Sequence, residues 1–255
     1  MTQSSFDRSV SLPARVVVSL RAGAVLALAN IVCVLIFSWA WVHVKAEPKT
    51  IAVTGSARKP IESDLIVWSG RVSASDSRLD SAYNTLRSST NKVLEYLKAA
   101  GVPGKEITVG SIETLKHFER DAKGNNTDKI TSYELAQTVE VSSNDVGKVE
   151  NVARTVTDLI KEDVLLDSQP PKYLYTKLAD LKIAMLAEAT ADATTRAQQI
   201  AGNSGSKLGK IIEARMGVMQ INAIHSNDAS GSGVNDTSSR EKEITAVVSA
   251  RFSLQ

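Results

Sequence analysis

The sequence predicts an α+β protein. An N-terminal transmembrane helix leads into a domain in which an antiparallel sheet is covered by about three helices, in the order ββ-α-ββ-α-β-α-ββ. Three observations carry this prediction. Residues 22–44 contain no formal charge. Several later runs alternate apolar and polar residues with period two, as half-buried strands do. Three other stretches place apolar residues at spacings of three and four, the signature of helices with one buried face.

The uncharged run, at about 1.5 Å per residue, makes roughly 34 Å of helix, enough to cross the hydrocarbon core of a bilayer. Arg8, Arg15 and Arg21 precede it with Asp7 the only acid, while Trp39, Trp41 and His43 lie at its far end. Basic residues on a short N-terminal side keep that side cytoplasmic, and tryptophans suit the opposite interface. The expected interface anchors are therefore Trp39, Trp41, Arg21 and Lys45. This divides the chain into a cytoplasmic tail (1–21), a signal-anchor helix (22–44), a linker (45–49) and a folded extracytoplasmic domain (50–255). Lys45, Lys49, Arg58 and Lys59 oppose the charge rule, but a long domain translocates regardless of them. The alternative is a signal peptide cleaved near Ala46, after Val44-Lys45-Ala46. The run exceeds the usual apolar core of about 7–15 residues, which favours retention.

Charge and cysteine content narrow the chemistry. The net charge is +2, and residues 1–46 carry four Lys/Arg against one Asp, so the remainder holds 26 basic and 27 acidic side chains, a net −1. The basicity belongs to the tail, and nucleic acid is excluded as a main partner. Cys33 is the only cysteine and lies in the apolar run, so the domain has no internal disulfide and no thiolate chemistry.

In the domain, 50–57 and 61–75 read as strands punctuated by Lys59-Pro60. A helix is expected over 77–100, with Leu79, Ala82, Tyr83, Leu86, Thr90, Val93, Leu94 and Leu97 on one face; Asp76 or Ser77 caps it and Gly101 ends it. Residues 106–118 and 130–142 form a long hairpin around a polar turn. A second helix starts at Asn144 and uses Val146, Val149, Ala153, Val156, Leu159 and Ile160. The next strand, 164–175, is interrupted by Pro170-Pro171, which marks an edge or a bend. A third helix spans about 176–201 with an alanine-rich stripe that permits close packing, ended by Gly202 and Gly205. Strands 210–221 and 241–254 close the domain around a solvated Asn/Ser/Gly-rich loop, 222–240. Gly55 and Gly70 mark strand positions of bulging or close backbone approach.

These pieces, in this order, resemble the SIMPL-domain (DUF541) family of bacterial envelope proteins. The carriers are Ile51-Ala-Val-Thr-Gly-Ser-Ala, the helix from Leu86 to Gly101 followed by Ile107-Thr-Val, and Tyr133-Glu-Leu-Ala-Gln-Thr-Val-Glu-Val. The helix 184–201 with Gly205 and Leu208-Gly209-Lys210-Ile211 completes the set. The resemblance implies an α+β fold, an envelope location, a tendency to form large homo-oligomeric rings and stress-related or outer-envelope associations. It brings no catalytic motif. The long apparent anchor departs from the ordinary signal peptide of many relatives.

A search for chemistry yields no catalytic, cofactor or metal assignment. His43, His117 and His225 are far apart, with no second ligand type at metal-site spacing. Ser89-Thr-Asn-Lys92 fits an S-x-x-K pattern but lacks the two companion motifs, so it reads as helix surface. Residues 202–210 resemble a phosphate loop only in composition and read as a helix C-cap and turn. Asp228 and Asp236 do not fit a calcium loop. Asp192 and Arg196 are placed to pair one helical turn apart. The expected protein is a non-enzymatic, membrane-anchored scaffold of the inner membrane whose partners are the lipid bilayer and further copies of itself. The alternative is a periplasmic module that binds or senses a small molecule, lipid or protein; a hydrolase ranks below both.

Overall fold

The structure, a computed structural model, describes residues 14–45 and 49–255. Helix α1 (Ala14–Lys45) contains the apolar stretch Gly23–Trp41, none of it covered by the rest of the described chain. The domain then runs β1 (Thr50–Glu62), β2 (Leu65–Asp76), α2 (Leu79–Ala99), β3 (Ile107–Arg120) and β4 (Asn126–Ser143). It continues with α3 (Val146–Thr155), β5 (Leu165–Ser168), β6 (Lys172–Leu174), α4 (Leu178–Asn203), β7 (Leu208–Met216), β8 (Gln220–Ala223) and β9 (Glu241–Leu254). The class is α+β, with antiparallel strands and helices laid on them.

The strands divide between two sheets. In one the order is β1-β9-β7, with β8 also bonded to β9; in the other it is β3-β4-β2-β5, with β6 also bonded to β2. Helix α4 covers the first sheet through β1 and β9, while α2 and α3 cover the second through β2 and β4. Each sheet therefore has its own core. Ile66, Trp68, Leu86, Leu97, Val139 and Val149 fill the larger one. The α4 side is packed by Met185, Ile244, Ala246 and Val248 at one end and by Ala193, Ala197 and Phe252 at the other.

Several expected boundaries shift for physical reasons. Strand β1 does not stop at Lys59-Pro60 but runs on to Glu62, because among the described residues it is an edge strand whose strand partner is β9, and an edge tolerates a proline. The break falls at Ser63–Asp64, and β1 and β2 enter different sheets instead of pairing. Pro170-Pro171 splits the expected strand 164–175 into β5 and β6, both on the edge of β2. Residues 210–221 similarly become β7 and β8. Helix α3 starts at Val146 and not at Asn144; Asp145 is its N-cap, and the Asp145 carboxylate accepts from the Lys148 amide at 3.1 Å. It tightens into a 3-10 turn over Val156–Glu162, which rotates Ile160 out to 52 % exposure. On α2, Leu79 and Tyr83 lie outside the buried stripe.

The start of α2 departs from the expected Asp76 or Ser77 cap, since Arg78 is its N-cap with no side-chain capping bond and Asp76 accepts from the Arg78 amide at 2.8 Å. The C-terminal ends of α2 and α4 follow the sequence. Beyond α2, Gly101 sits at φ 79°, with its amide bonded to Lys98 O and that of Val102 to Leu97 O, the two bonds of a Schellman cap. Gly205 (φ 73°) closes α4 in the same way, with Ser206 N bonded to Ala201 O. This is the C-cap and turn expected over 202–210.

Candidate functional site

Trp39 and Trp41 are exposed near the C-terminal end of α1, and Trp41 shares a surface with Val34 and Phe37. The side chains of Arg21 and Lys45, the other expected anchors, lie outside the described residues, as does the cleavage position around Ala46. The geometry of the helix suits a membrane anchor or a signal sequence equally, being long, apolar and uncovered.

Between the two sheets lies a polar seam built on Lys242. This residue is 2 % exposed, and its Nζ donates to Tyr173 O at 2.6 Å and Asp236 O at 2.5 Å. Tyr173 belongs to β6 and Lys242 to β9, so one ammonium joins the two sheets. Burial pushes the Lys242 pKa down, against the Asp236 carboxylate, which raises it. Burial also works to raise the Asp236 pKa, but hydrogen bonds from the Ser238 hydroxyl and amide hold it below the usual carboxylate range. Arg240 extends the seam to Glu62 (2.6 Å) and Glu150 (3.5 Å), and Tyr173 N donates to Thr237 O at 2.8 Å. At the β1–β2 corner, Asp64 accepts from the amide (2.7 Å) and hydroxyl (2.8 Å) of Thr176. Burial there works to raise the Asp64 pKa, and the Thr176 bonds outweigh it and hold the carboxyl low.

Two surface features have shapes suited to partners. Strand β3 ends its sheet, and every residue after Ile107 is exposed, including Val109, Ile112, Leu115 and Phe118. The β3–β4 ribbon also overruns β2, whose last pair is Asp76 with Tyr133. Separately, a groove of about 600 Å³ opens between α4 and residues 216–235; Leu178, Ile183, Leu186, Met216 and Val218 line it and Lys182 is its one charged residue.

The residues screened for chemistry are dispersed. His117 pairs with Glu134 (2.9 Å) on the β3–β4 ribbon. His225 stands at φ 70° in the loop after β8. Ser89 is not on the surface but buried among the α2 core residues, while Lys92 turns outward to donate to Glu162 O at 2.7 Å. Asp192 pairs with Arg196 (2.8 Å) as expected and also accepts from the Ser56 amide (2.8 Å), which ties α4 to β1. Asp228 and Asp236 serve the loop's own folding; Asp228 O accepts from Asn222 Nδ2 at 2.7 Å. The loop expected to be merely solvated is thus threaded with hydrogen bonds, notably Val234 N and Gln220 Nε2 with Gln220 Oε1 and Ser230 O as acceptors (2.7 and 2.9 Å). The sequence reading missed Lys242. A signal was present, since Lys242 is in phase with Ile244, Ala246, Val248, Ala250 and Phe252, the inward positions of β9.

Fold and order of elements define a two-sheet α+β domain preceded by an apolar helix. A family model described as SIMPL, a protein of unknown function (DUF541), matches residues 51–252, and the chain belongs to that family. No curated protein matches the chain.

Proposed function

We propose that this is a membrane-tethered, non-enzymatic scaffold of the cell envelope, in which α1 stays in the bilayer and the SIMPL domain self-associates outside the cytoplasm. The observation that supports this reading best is β3, a 14-residue strand that among the described residues pairs along one edge and leaves the other open, with four exposed large apolar side chains. An exposed edge of that length is a template for pairing with another chain. Tethering raises the effective concentration of copies near the membrane and favours association without new contacts. The test is the mass and symmetry of the full-length protein in mild detergent, by light scattering and single-particle imaging. A discrete multi-subunit particle is expected; a monomer at high concentration overturns the reading.

A second reading, a binder of small apolar ligands, is favoured by the groove beside α4. Its volume of about 600 Å³ falls within the range of ligand sites, roughly 300–1,000 Å³. Thermal shift against envelope lipid fractions tests it, with stabilisation abolished by Leu186→Glu as the expected result.

A further inference from the structure

We propose that two copies of the chain pair through β3, antiparallel and about a two-fold axis at Leu115, so that two β3-β4-β2-β5 sheets become one. This deepens the self-association reading and rests on it.

Strand β3 is not uniform along its length. Its ladder with β4 is irregular between Val109 and Ile112 and again beyond His117, which leaves Ile112–His117 as a regular run facing Gln137 to Ser132. Irregularities and bulges are how natural proteins keep edges from pairing, so the regular run is the part of the edge left open. All six residues are exposed.

Two-fold symmetry and the alternation of side chains restrict how this run meets its own copy. Residues that face each other across an antiparallel pair point to the same side of the sheet, and neighbours along a strand point to opposite sides. The axis must therefore pass through a residue and not between two. At Glu113 it sets one carboxylate against another, and at Lys116 one ammonium against another; like charges directly opposed are destabilising. At Thr114 it sets Ile112 against Lys116 and Glu113 against Leu115. At Ile112 or His117 it draws an irregular segment into the centre of the ladder.

Leu115 alone gives matched pairs. Leu115 meets Leu115 of the second copy, Ile112 meets Phe118, Glu113 meets His117 and Thr114 meets Lys116. The face carrying Glu113 already holds two polar contacts in each copy, the Arg71–Glu113 ion pair at 2.7 Å and the His117–Glu134 hydrogen bond at 2.9 Å. The register sets these contacts end to end, so the Glu113 carboxylate of one copy, already held by Arg71, meets the His117 ring of the second, already bonded to Glu134. Leu115 itself is 57 % exposed, an apolar residue that the single copy leaves in water.

Crosslinking of the full chain in mild detergent tests the register. Cys33 is the only cysteine, so a Cys33→Ser background carries no thiol. Directly opposed residues of an antiparallel pair have Cα atoms about 4.5–5.5 Å apart, within the span a disulfide bridges. In that background Leu115→Cys is expected to convert most of the protein to a covalent dimer under mild oxidation. Thr114→Cys, whose copies lie beyond disulfide reach in this register, is expected to stay monomeric on denaturing gels. Leu115→Lys, exposed in the single copy, is expected to halve the mass of the smallest stable particle while the separated copies keep one cooperative melting transition. A multi-subunit particle in which Leu115→Cys fails to crosslink and Leu115→Lys leaves the mass unchanged overturns this interface while leaving self-association standing. A wild-type monomer overturns both.

Discussion

At Gly55 on β1, a Cβ would lie 2.3 Å from both Ala189 O and Ala193 N of α4, so backbone meets backbone with no flexible group to yield. Gly55→Ala is expected to cost at least about 1–3 kcal/mol, read as a lower urea midpoint with an unchanged slope. The sequence marked this glycine, and Gly70, whose Cβ position is filled by the Trp68 ring. Lys242 carries a different kind of constraint. Lys242→Met keeps the bulk but leaves the carbonyls of Tyr173 and Asp236 without their buried donor, at an expected cost of about 2 kcal/mol in the same measurement. Asp64 supplies a pH-dependent contribution. Its folded pKa lies below the unfolded value of about 3.9, so its stabilisation is present above that value and is lost as pH falls through the folded pKa. Asp64→Ala should therefore be destabilised by about 1 kcal/mol at pH 7, with the gap to wild type closing as pH falls through the folded pKa in acid titrations followed by circular dichroism.

Among the elements, α4 was the most legible in the sequence. Its stripe Leu181, Met185, Ala189, Ala193, Ala197 and Ala201 is buried at four-residue spacing, and the alanines let β1 approach closely. Ala193→Glu sets a carboxylate into that contact and is expected to lower the melting temperature by more than 10 °C or to prevent folding; an unchanged melting temperature would show that the stripe does not face the sheet. Other stripes were only partly legible. Leu79, Tyr83, Ile160 and Ile200 fit the helical period yet lie exposed, because a buried face is narrower than the apolar stripe and the switch to 3-10 geometry after Thr155 changes the phase. Strand β3 shows the converse. Its apolar residues follow strand composition, but no described helix covers them and they are exposed.

For the whole molecule, the anchor and the two-sheet domain make separable predictions. If α1 is retained, intact-mass measurement of the mature protein includes residues 1–46 and extraction requires detergent; a species beginning near Glu47 would assign the helix to a signal peptide. The seam of Lys242, Arg240 and Asp64 predicts that the two sheets unfold together, since polar bonds from β9 and its preceding loop cross to β6 and α3. A single transition by calorimetry and by Trp68 fluorescence is expected for wild type, and two separated transitions for Lys242→Met with Arg240→Ala.

The sequence by itself determined the apolar helix, the α+β class, the alternation of strand and helix segments, the glycine caps at Gly101 and Gly205 and membership of the SIMPL family, but not the splitting of two strands into β5 and β6 and into β7 and β8. These depend on period, charge and turn chemistry, which are local and carried by contiguous residues. Only the tertiary structure decided that β1 and β2 part company, that the first and last strands pair across the domain, that Lys242 closes the seam and that no described strand pairs with the outer edge of β3. Those outcomes turn on which distant segments meet, and alternation along a strand records that one face is buried without recording what buries it.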